Sequence, residues 1–380
     1  MIRSQAGNMI RHAIYVLLAA LIAASFLVFR AHAMENIIRP YQSPRAAGMG
    51  NVRITTGIYD ENFFGNPARV VDNPKWRITL FDMMFETTPT TISAVQDLVG
   101  AKSDVLNKVG EKAGDNLHGR VQTTFPGYYS SVGSVHFGLA LLMSTQFDVN
   151  VRRSYQLDPV SITDVGPAFT IGRRFLGRDR LAVGVTTHFT YRLSTKDKYS
   201  FINLIQGDSL SPLKSGGDGT HLDFGVGATY DLPWSAGGFS FHPGFSVNNV
   251  LDGRYSNLRR VKLLDNVLLP RQQPRAFNFG VAARRPSLFV FSNAVFALEF
   301  TDIGNNENGS IYRLIHLGGE VEWLDFMFFR AGINQGWPTV GYGLDLRIFE
   351  LDVAYYGEEM TYNPGGKVDQ RIALRFTFKI

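Results

Sequence analysis

The sequence has no cysteine, which excludes a disulfide framework, a thiolate metal site and a cysteine nucleophile. Long apolar runs are almost as scarce. A helical membrane protein carries several stretches of about 20 apolar residues; this 380-residue chain has one, at its very start. No H-E-x-x-H occurs, and His316 with Glu320 lacks a third ligand nearby. The other histidines singled out, His136, His188, His221 and His242, are scattered without a serine motif. A hydroxyl nucleophile would need a base and an orienting acid. Gly225-x-Gly227 and Gly341-x-Gly343 resemble pieces of a nucleotide loop, but they alternate along strand faces. The sequence thus predicts no enzyme, no cofactor and no metal.

The single apolar run spans Ala13 to Phe29, comes after Arg3, Arg11 and His12, and ends in Ala31-His32-Ala33. Basic, then apolar, then A-x-A is the order of a secretory signal peptide. The alternative is an uncleaved anchor, helped by Arg30. Cleavage after residue 33 removes Arg3, Arg11 and Arg30 and takes the formal net charge from +5 to about +2. That is no footprint for nucleic acid, which needs a clustered basic surface.

The chain is rich in glycine (38 residues) and aromatics (13%), and beyond the signal it alternates with period two. Ile372, Leu374, Phe376 and Phe378 share one face; Arg371, Ala373, Arg375 and Thr377 share the other. Leu181, Val183, Val185 and Phe189 oppose Ala182, Gly184, Thr186 and His188, and Leu222, Phe224 and Val226 oppose Asp223, Gly225 and Gly227. In a transmembrane barrel the lipid face is apolar and the lumen face is free to be polar. A soluble sandwich would not charge its inner face. About fourteen such segments occur between residues 76 and 380. Tight connections such as Ser130-Ser131-Val132 and Leu324-Asp325 alternate with long ones such as 86–118, 148–162, 193–220 and 251–273. The expectation is an all-β fold: a transmembrane antiparallel β-barrel of about 14 strands in the outer membrane of a diderm bacterium. Its surroundings are outer-membrane lipid, and its C-terminal strand would be read by the barrel-assembly machinery. The chain ends in Ile380 rather than the usual aromatic, with Phe376 and Phe378 keeping the pattern.

Two segments escape the alternation. Residues 34–75 are rich in Gly, Pro and Asn. Within 90–114, Ile92, Val95, Val99, Leu106 and Val109 make an apolar stripe at helical spacing, which predicts a helical extracellular loop. Such a helix either packs over the rim or collects hydrophobic solute.

Ser43-Pro44-Arg45-Ala46-Ala47-Gly48-Met49-Gly50, then Asp60, then Gly65-Asn66-Pro67-Ala68 resembles the N-terminus of FadL-type and PorV-type outer-membrane proteins. Arg330-Ala331-Gly332, Gly341-Tyr342-Gly343-Leu344 and Asp352-Val353-Ala354-Tyr355-Tyr356 resemble the same superfamily near its C-terminus. The resemblance implies a 14-stranded barrel that takes up fatty acids or hydrocarbons. It also implies that residues 34–75 form a hatch inside the lumen, with Asn66, Pro67 and Ala68 as its motif. The alternative is a PorV-like barrel that binds exported proteins for a secretion system. An outer-membrane lipid hydrolase is the remaining enzyme reading.

The candidate residues each carry two readings. The hatch either moves to open a path or closes the pore for good. Asp345, Arg347, Asp352, Arg371 and Arg375 form a lumen charge network that either anchors the hatch or selects a charged head group. Phe289, Phe291, Phe326 and Phe328 fall where alternation predicts the lumen, lining a hydrophobic path or packing on the hatch. Pro126-Gly127 lies within the second strand. Proline removes a ladder hydrogen bond, so the pair marks an ordinary bulge or, as the resemblance implies, a sideways opening to the membrane.

Overall fold

The computed structural model describes residues 39–73, 76–100, 111, 113–152, 156–175, 180–196, 198–200, 216–257, 263–264, 268–304 and 310–380. The expected signal peptide, 1–33, lies outside them. So do residues 101–110 of the expected helical loop.

The wall has fourteen antiparallel strands in chain order. They are β1 (Arg77–Thr87), β2 (Asn116–Thr123 continued by Gly127–Val132), β3 (Val135–Val151), β4 (Gln156–Phe175), β5 (Leu181–Lys196), β6 (Gly217–Tyr230) and β7 (Phe239–Asn248). β8 (Ala276–Leu288), β9 (Phe291–Ile303), β10 (Ile315–Trp323), β11 (Met327–Asn334), β12 (Trp337–Leu346), β13 (Phe349–Glu359) and β14 (Val368–Lys379) complete it. β1 pairs with β14, with Phe81 opposite Phe378 and Phe85 opposite Leu374, which closes the cylinder. Closure is what lipid demands, because an open sheet edge would leave backbone donors and acceptors unpaired in hydrocarbon. Among the described residues no helix is long and apolar enough to cross a membrane; here the strands do the crossing.

The period-two pattern decides which way each side chain points. On β14, Asp369, Arg371, Ala373, Arg375 and Thr377 are buried, while Gln370 and Phe378 are exposed and the apolar residues between are half-buried. On β5, Val183, Val185 and Phe189 are exposed; Ala182, Thr186, His188 and Arg192 are buried.

One expectation needs correction. The connection foreseen at 148–162 is largely strand: β3 and β4 stay paired as far as Val151 opposite Leu157. Polar residues such as Asp148, Asn150 and Asp158 hid that extension from a pattern tuned to lipid. The second strand is interrupted between Thr123 and Gly127, beside the Pro126-Gly127 pair singled out in the sequence.

Residues 39–73 run inside the cylinder and are almost wholly buried. The short helix α1 (Pro44–Gly48) packs on β11 to β14, and a 3-10 turn, Pro67–Asp72, packs on β3 to β6. Between them lies α2 (Glu61–Phe64). Ser43 caps α1 through its hydroxyl, with Pro44 at the first position, where proline's missing N–H costs nothing. After β1 comes α3 (Pro89–Gly100), which packs near β2 and β14.

Candidate functional site

The interior is organised by carboxylates and guanidinium groups that join the inner segment to one side of the wall. Arg45 bonds Glu61 at 2.9 Å and Glu320 of β10 at 2.8 and 3.1 Å. Arg330 of β11 then links Glu320, at 2.6 Å, to Asp352 of β13, at 2.5 Å. Each charge is thus matched by a neighbour, which is the condition for keeping ions out of water. Glu299 of β9 accepts from the backbone N–H groups of Arg53, Ile54 and Thr55 at 2.8 to 3.0 Å, and from the Thr55 hydroxyl at 2.7 Å. Thr339 donates to the Gly48 carbonyl at 3.1 Å and accepts from Gly50 N–H at 2.9 Å. Gly50 needs to be glycine: its φ is +68°, and a Cβ there would run into the Leu317 carbonyl.

The opposite side of the wall, β4 to β7, meets the segment mainly through small residues. Asn66 adopts extended backbone and accepts from Ala68 N–H at 3.0 Å, capping the 3-10 turn that Pro67 begins. Its amide nitrogen donates to the Ala228 carbonyl at 3.2 Å. A Cβ on Gly227 would collide with the Asn66 amide. Polar contacts add to that fit: His188 Nε2 lies 2.9 Å from the Phe63 carbonyl, Asn248 donates to the Phe64 carbonyl at 3.1 Å, and Arg174 pairs with Asp72.

Between the two sides runs an apolar seam. The rings of Tyr41, Phe64 and His188 stack in sequence, with centroids 5.3 and 5.0 Å apart and interplanar angles of 11° and 6°. Phe63, Tyr59 and Tyr129 continue it at 5.3 to 6.5 Å, packed on Ala140 and Ala168. At the long-loop end the seam meets a cavity of about 40 Å³ bounded by Arg39, Arg53, Phe64 and His188. Near the mouth, a separate cavity of about 310 Å³ is lined by Val160, Ile162, Leu268 and Leu269 with Lys196 and Arg271.

At its other end the seam reaches the interruption in β2. Met84 to Thr87 pair with the first half of β2, and Arg77 to Thr79 with the second. Among the described residues no ladder pair joins 80–83 to 123–126. The pairing with β3 also shifts by one residue there, from Thr123 opposite Met143 to Gly127 opposite Ala140. An extra residue of that kind is a bulge. Side chains fill in for the missing ladder: the Thr123 hydroxyl donates to the Asp82 carbonyl at 2.5 Å, and Thr124 N–H to the Asp82 carboxylate at 3.3 Å.

No protein-family model and no curated protein matches the chain. Solved structures do. The CymD monoaromatic hydrocarbon channel matches with a TM-score of 0.50 at 10% identity, over 88% of this chain and 96% of that one. The Ralstonia pickettii toluene transporter TbuX matches with a TM-score of 0.50 at 11% identity, over 89% and 97%. A Pseudomonas aeruginosa FadL homologue matches at 0.47 and 11% identity, over 91% and 99%. In fold the chain is a barrel like those of CymD and TbuX. At this identity the likeness speaks for architecture, and it spans nearly the whole of both chains.

The barrel brings some of the predicted residues together and not others. Asp352, Arg371 and Arg375 point inward and are buried. Arg371 lies 2.9 Å from Asp369, 3.3 Å from Glu358 and 3.5 Å from Glu86. Asp345 sits at the rim with Lys379, at 2.6 Å. Arg347 is exposed in the β12–β13 turn, outside the network. Phe289, also in a turn, has φ +55° and is 93% exposed, so it lines no inner path. Phe326 is in the β10–β11 turn and Phe291 is half-buried at the start of β9. Phe328 faces the lumen beneath the Arg330 guanidinium, 5.6 Å from the ring centre. Alternation does not carry past the strand ends, where a turn rotates the chain and the two-face rule lapses. Sequence reasoning missed the roles of Glu299, Glu320 and His118, the last of which bridges Glu86 of β1 at 2.7 Å and Asp148 of β3 at 2.8 Å. The two glutamates were detectable as carboxylates two positions after the small inward residues Ala297 and Gly318. His118 gave no such signal, because Asn116, Arg120 and Gln122 make its whole face polar.

Proposed function

We propose that this barrel is an outer-membrane channel for passive uptake of hydrophobic compounds, of the fatty-acid or hydrocarbon class, with residues 39–73 acting as its hatch. The observation that carries this is the aromatic seam: one continuous apolar strip, Tyr41 to Tyr129, through an interior otherwise filled with charge. Apolar surface leaving water is favoured by about 25 cal/mol per Å², so a solute entering at the mouth gains along the seam and loses against the charged wall. CymD is a monoaromatic hydrocarbon channel and TbuX a toluene transporter by name, which supports the same reading. In this proposal the solute leaves sideways at residues 124–127, where the β1–β2 ladder lapses beside Pro126 and Gly127.

Uptake of a labelled fatty acid and of toluene by a deletion strain, with and without the gene restored, tests it. Restoration of either flux supports the channel; identical uptake in both strains ends it. A PorV-like protein-binding role is the second reading. It is favoured by apolar loop side chains in the open, among them Leu263 at 75% and Tyr312 at 64% exposure. Loss of a secreted protein from the cell surface, with solute uptake unchanged, would select that role.

A further inference from the structure

Arg375 of β14 stands where the inner segment and the interrupted wall meet. Its Nε bonds the Asp82 carboxylate of β1 at 2.6 Å and its Nη2 bonds Asp60 of the inner segment at 2.6 Å. Nη2 also lies 3.3 Å from the Thr124 hydroxyl, and Nη1 lies 3.3 Å from the Tyr41 hydroxyl. Asp60 accepts from Tyr41 at 2.8 Å and from Thr124 at 3.2 Å. Asp82 accepts in addition from Thr377 at 3.1 Å. The same Asp82 carboxylate receives Thr124 N–H in place of the absent ladder bond. One guanidinium therefore holds both the carboxylate that stitches the wall and the carboxylate of the segment inside it.

We infer that Arg375 is a positioning residue that couples the inner segment to the β2 interruption, so that the wall stays closed there while Asp60 remains docked. The reasoning is electrostatic. Two carboxylates share one buried guanidinium, and such charge-assisted bonds are about twice as strong as neutral ones. Nη2 lies between the two carboxylates, 2.6 Å from Asp60 and 2.5 Å from Asp82, so when Asp60 leaves the guanidinium reorients onto Asp82 alone. Its reorientation moves Asp82, and with Asp82 goes the bond to Thr124 N–H. A cavity of about 10 Å³ adjoins Asp60, Arg77, Glu350 and Arg375. That is room for about one water. The inference rests on the sideways exit proposed for the channel and adds what controls it.

The absence of cysteine makes the test clean. Phe125→Cys, placed in the interruption, reports opening through its labelling rate with a water-soluble maleimide in detergent-solubilised or vesicle-inserted protein. Asp60→Asn changes only the inner segment, and labelling is expected to rise about tenfold, the factor that about 1.4 kcal/mol represents. Tyr41→Phe removes one hydroxyl from the same cluster and should raise it less. Ala47 and Ala354 pack together, so an Ala47→Cys/Ala354→Cys crosslink tethers the segment to β13. With the reporter blocked before oxidation and then exposed, the tether should return the Asp60→Asn rate toward that of the parent. Asp82→Asn, which injures the wall directly, should stay fast with or without it. Labelling of Asp60→Asn within twofold of the parent, or a rate indifferent to the tether, overturns the coupling. Solute flux is read separately. Coupled labelling without uptake would sink the channel and spare the coupling; uptake with unmoved labelling would do the reverse.

Discussion

The two inner sides of the barrel grip the same segment by different physics. Along β9 to β14 and β1 the contacts are charge-assisted: Glu299 on three backbone N–H groups, Glu320 between Arg45 and Arg330, Arg375 between Asp60 and Asp82. Along β4 to β7 the wall offers Ala168, Gly172, Ala182, Gly184 and Gly227, and the segment lies against them with single bonds from His188 and Asn248 to its backbone and one ion pair, Arg174 with Asp72, at its end. Charge-assisted bonds have direction and break at a definite cost; contact with small residues has little direction and tolerates sliding. A segment held this way is expected to pivot on the charged side while its 3-10 turn slides over the small-residue side.

The sharpest way to break that comparison is to remove the centre of the charged side. Arg330→Met leaves Glu320 and Asp352 buried without their shared partner, and losing one member of a buried ion cluster costs about 3–5 kcal/mol. The expected result is a large fall in the urea midpoint of the folded barrel, followed by its heat-dependent gel mobility. A midpoint unchanged from the parent would mean the charged side carries no special weight.

Glu299→Gln should rank next. The amide keeps one oxygen for three N–H groups and a hydroxyl, and stranding buried donors costs about 1–3 kcal/mol. On the other side, Gly227→Val pushes into the Asn66 amide. Overpacking of that kind costs about 1–3 kcal/mol. Its signature differs, because the wall has only to shed the turn. Limited proteolysis should cut within residues 60–73 more readily while the barrel's unfolding midpoint moves little. If Gly227→Val instead unfolds the wall as readily as Arg330→Met, the two sides are equivalent and the pivot is wrong.

Much of this architecture could be read from the sequence because lipid imposes a strict rule. About fourteen wall segments were expected and fourteen strands are found, with the alternation of Arg371 to Phe378 falling within β14, Val368–Lys379. The rule fails where lipid is absent. Above the membrane both faces of β3 and β4 are free to be polar, so Asp148 to Asp158 looked like loop although it is mostly ladder. Inward charges such as Asp352, Arg371 and Arg375 were visible as departures from apolar alternation. Their partners were not. Arg375 and Asp60 are 315 positions apart, and only closure of the cylinder around the segment brings them together. The Asn66-Pro67 turn was legible for the opposite reason, being local: the asparagine oxygen reaches Ala68 N–H two residues on.

The smallest expected effect tests where the interior ends. Phe289 is an aromatic at the tip of a two-residue turn between Leu288 and Phe291, 93% exposed. A path-lining residue would alter solute passage when truncated; a turn residue would not. A bulky side chain is also a poor choice at φ +55°, where glycine or asparagine is the usual occupant. Phe289→Asn should therefore leave stability within about 0.5 kcal/mol, as surface changes do, or raise it slightly by relieving the backbone. Phe328→Ala, by contrast, empties space beneath Arg330 inside the lumen and should cost more. The two measured side by side fix the boundary between lumen and rim on adjacent hairpins. A larger loss at Phe289 than at Phe328 would move that boundary and return the turn to the interior.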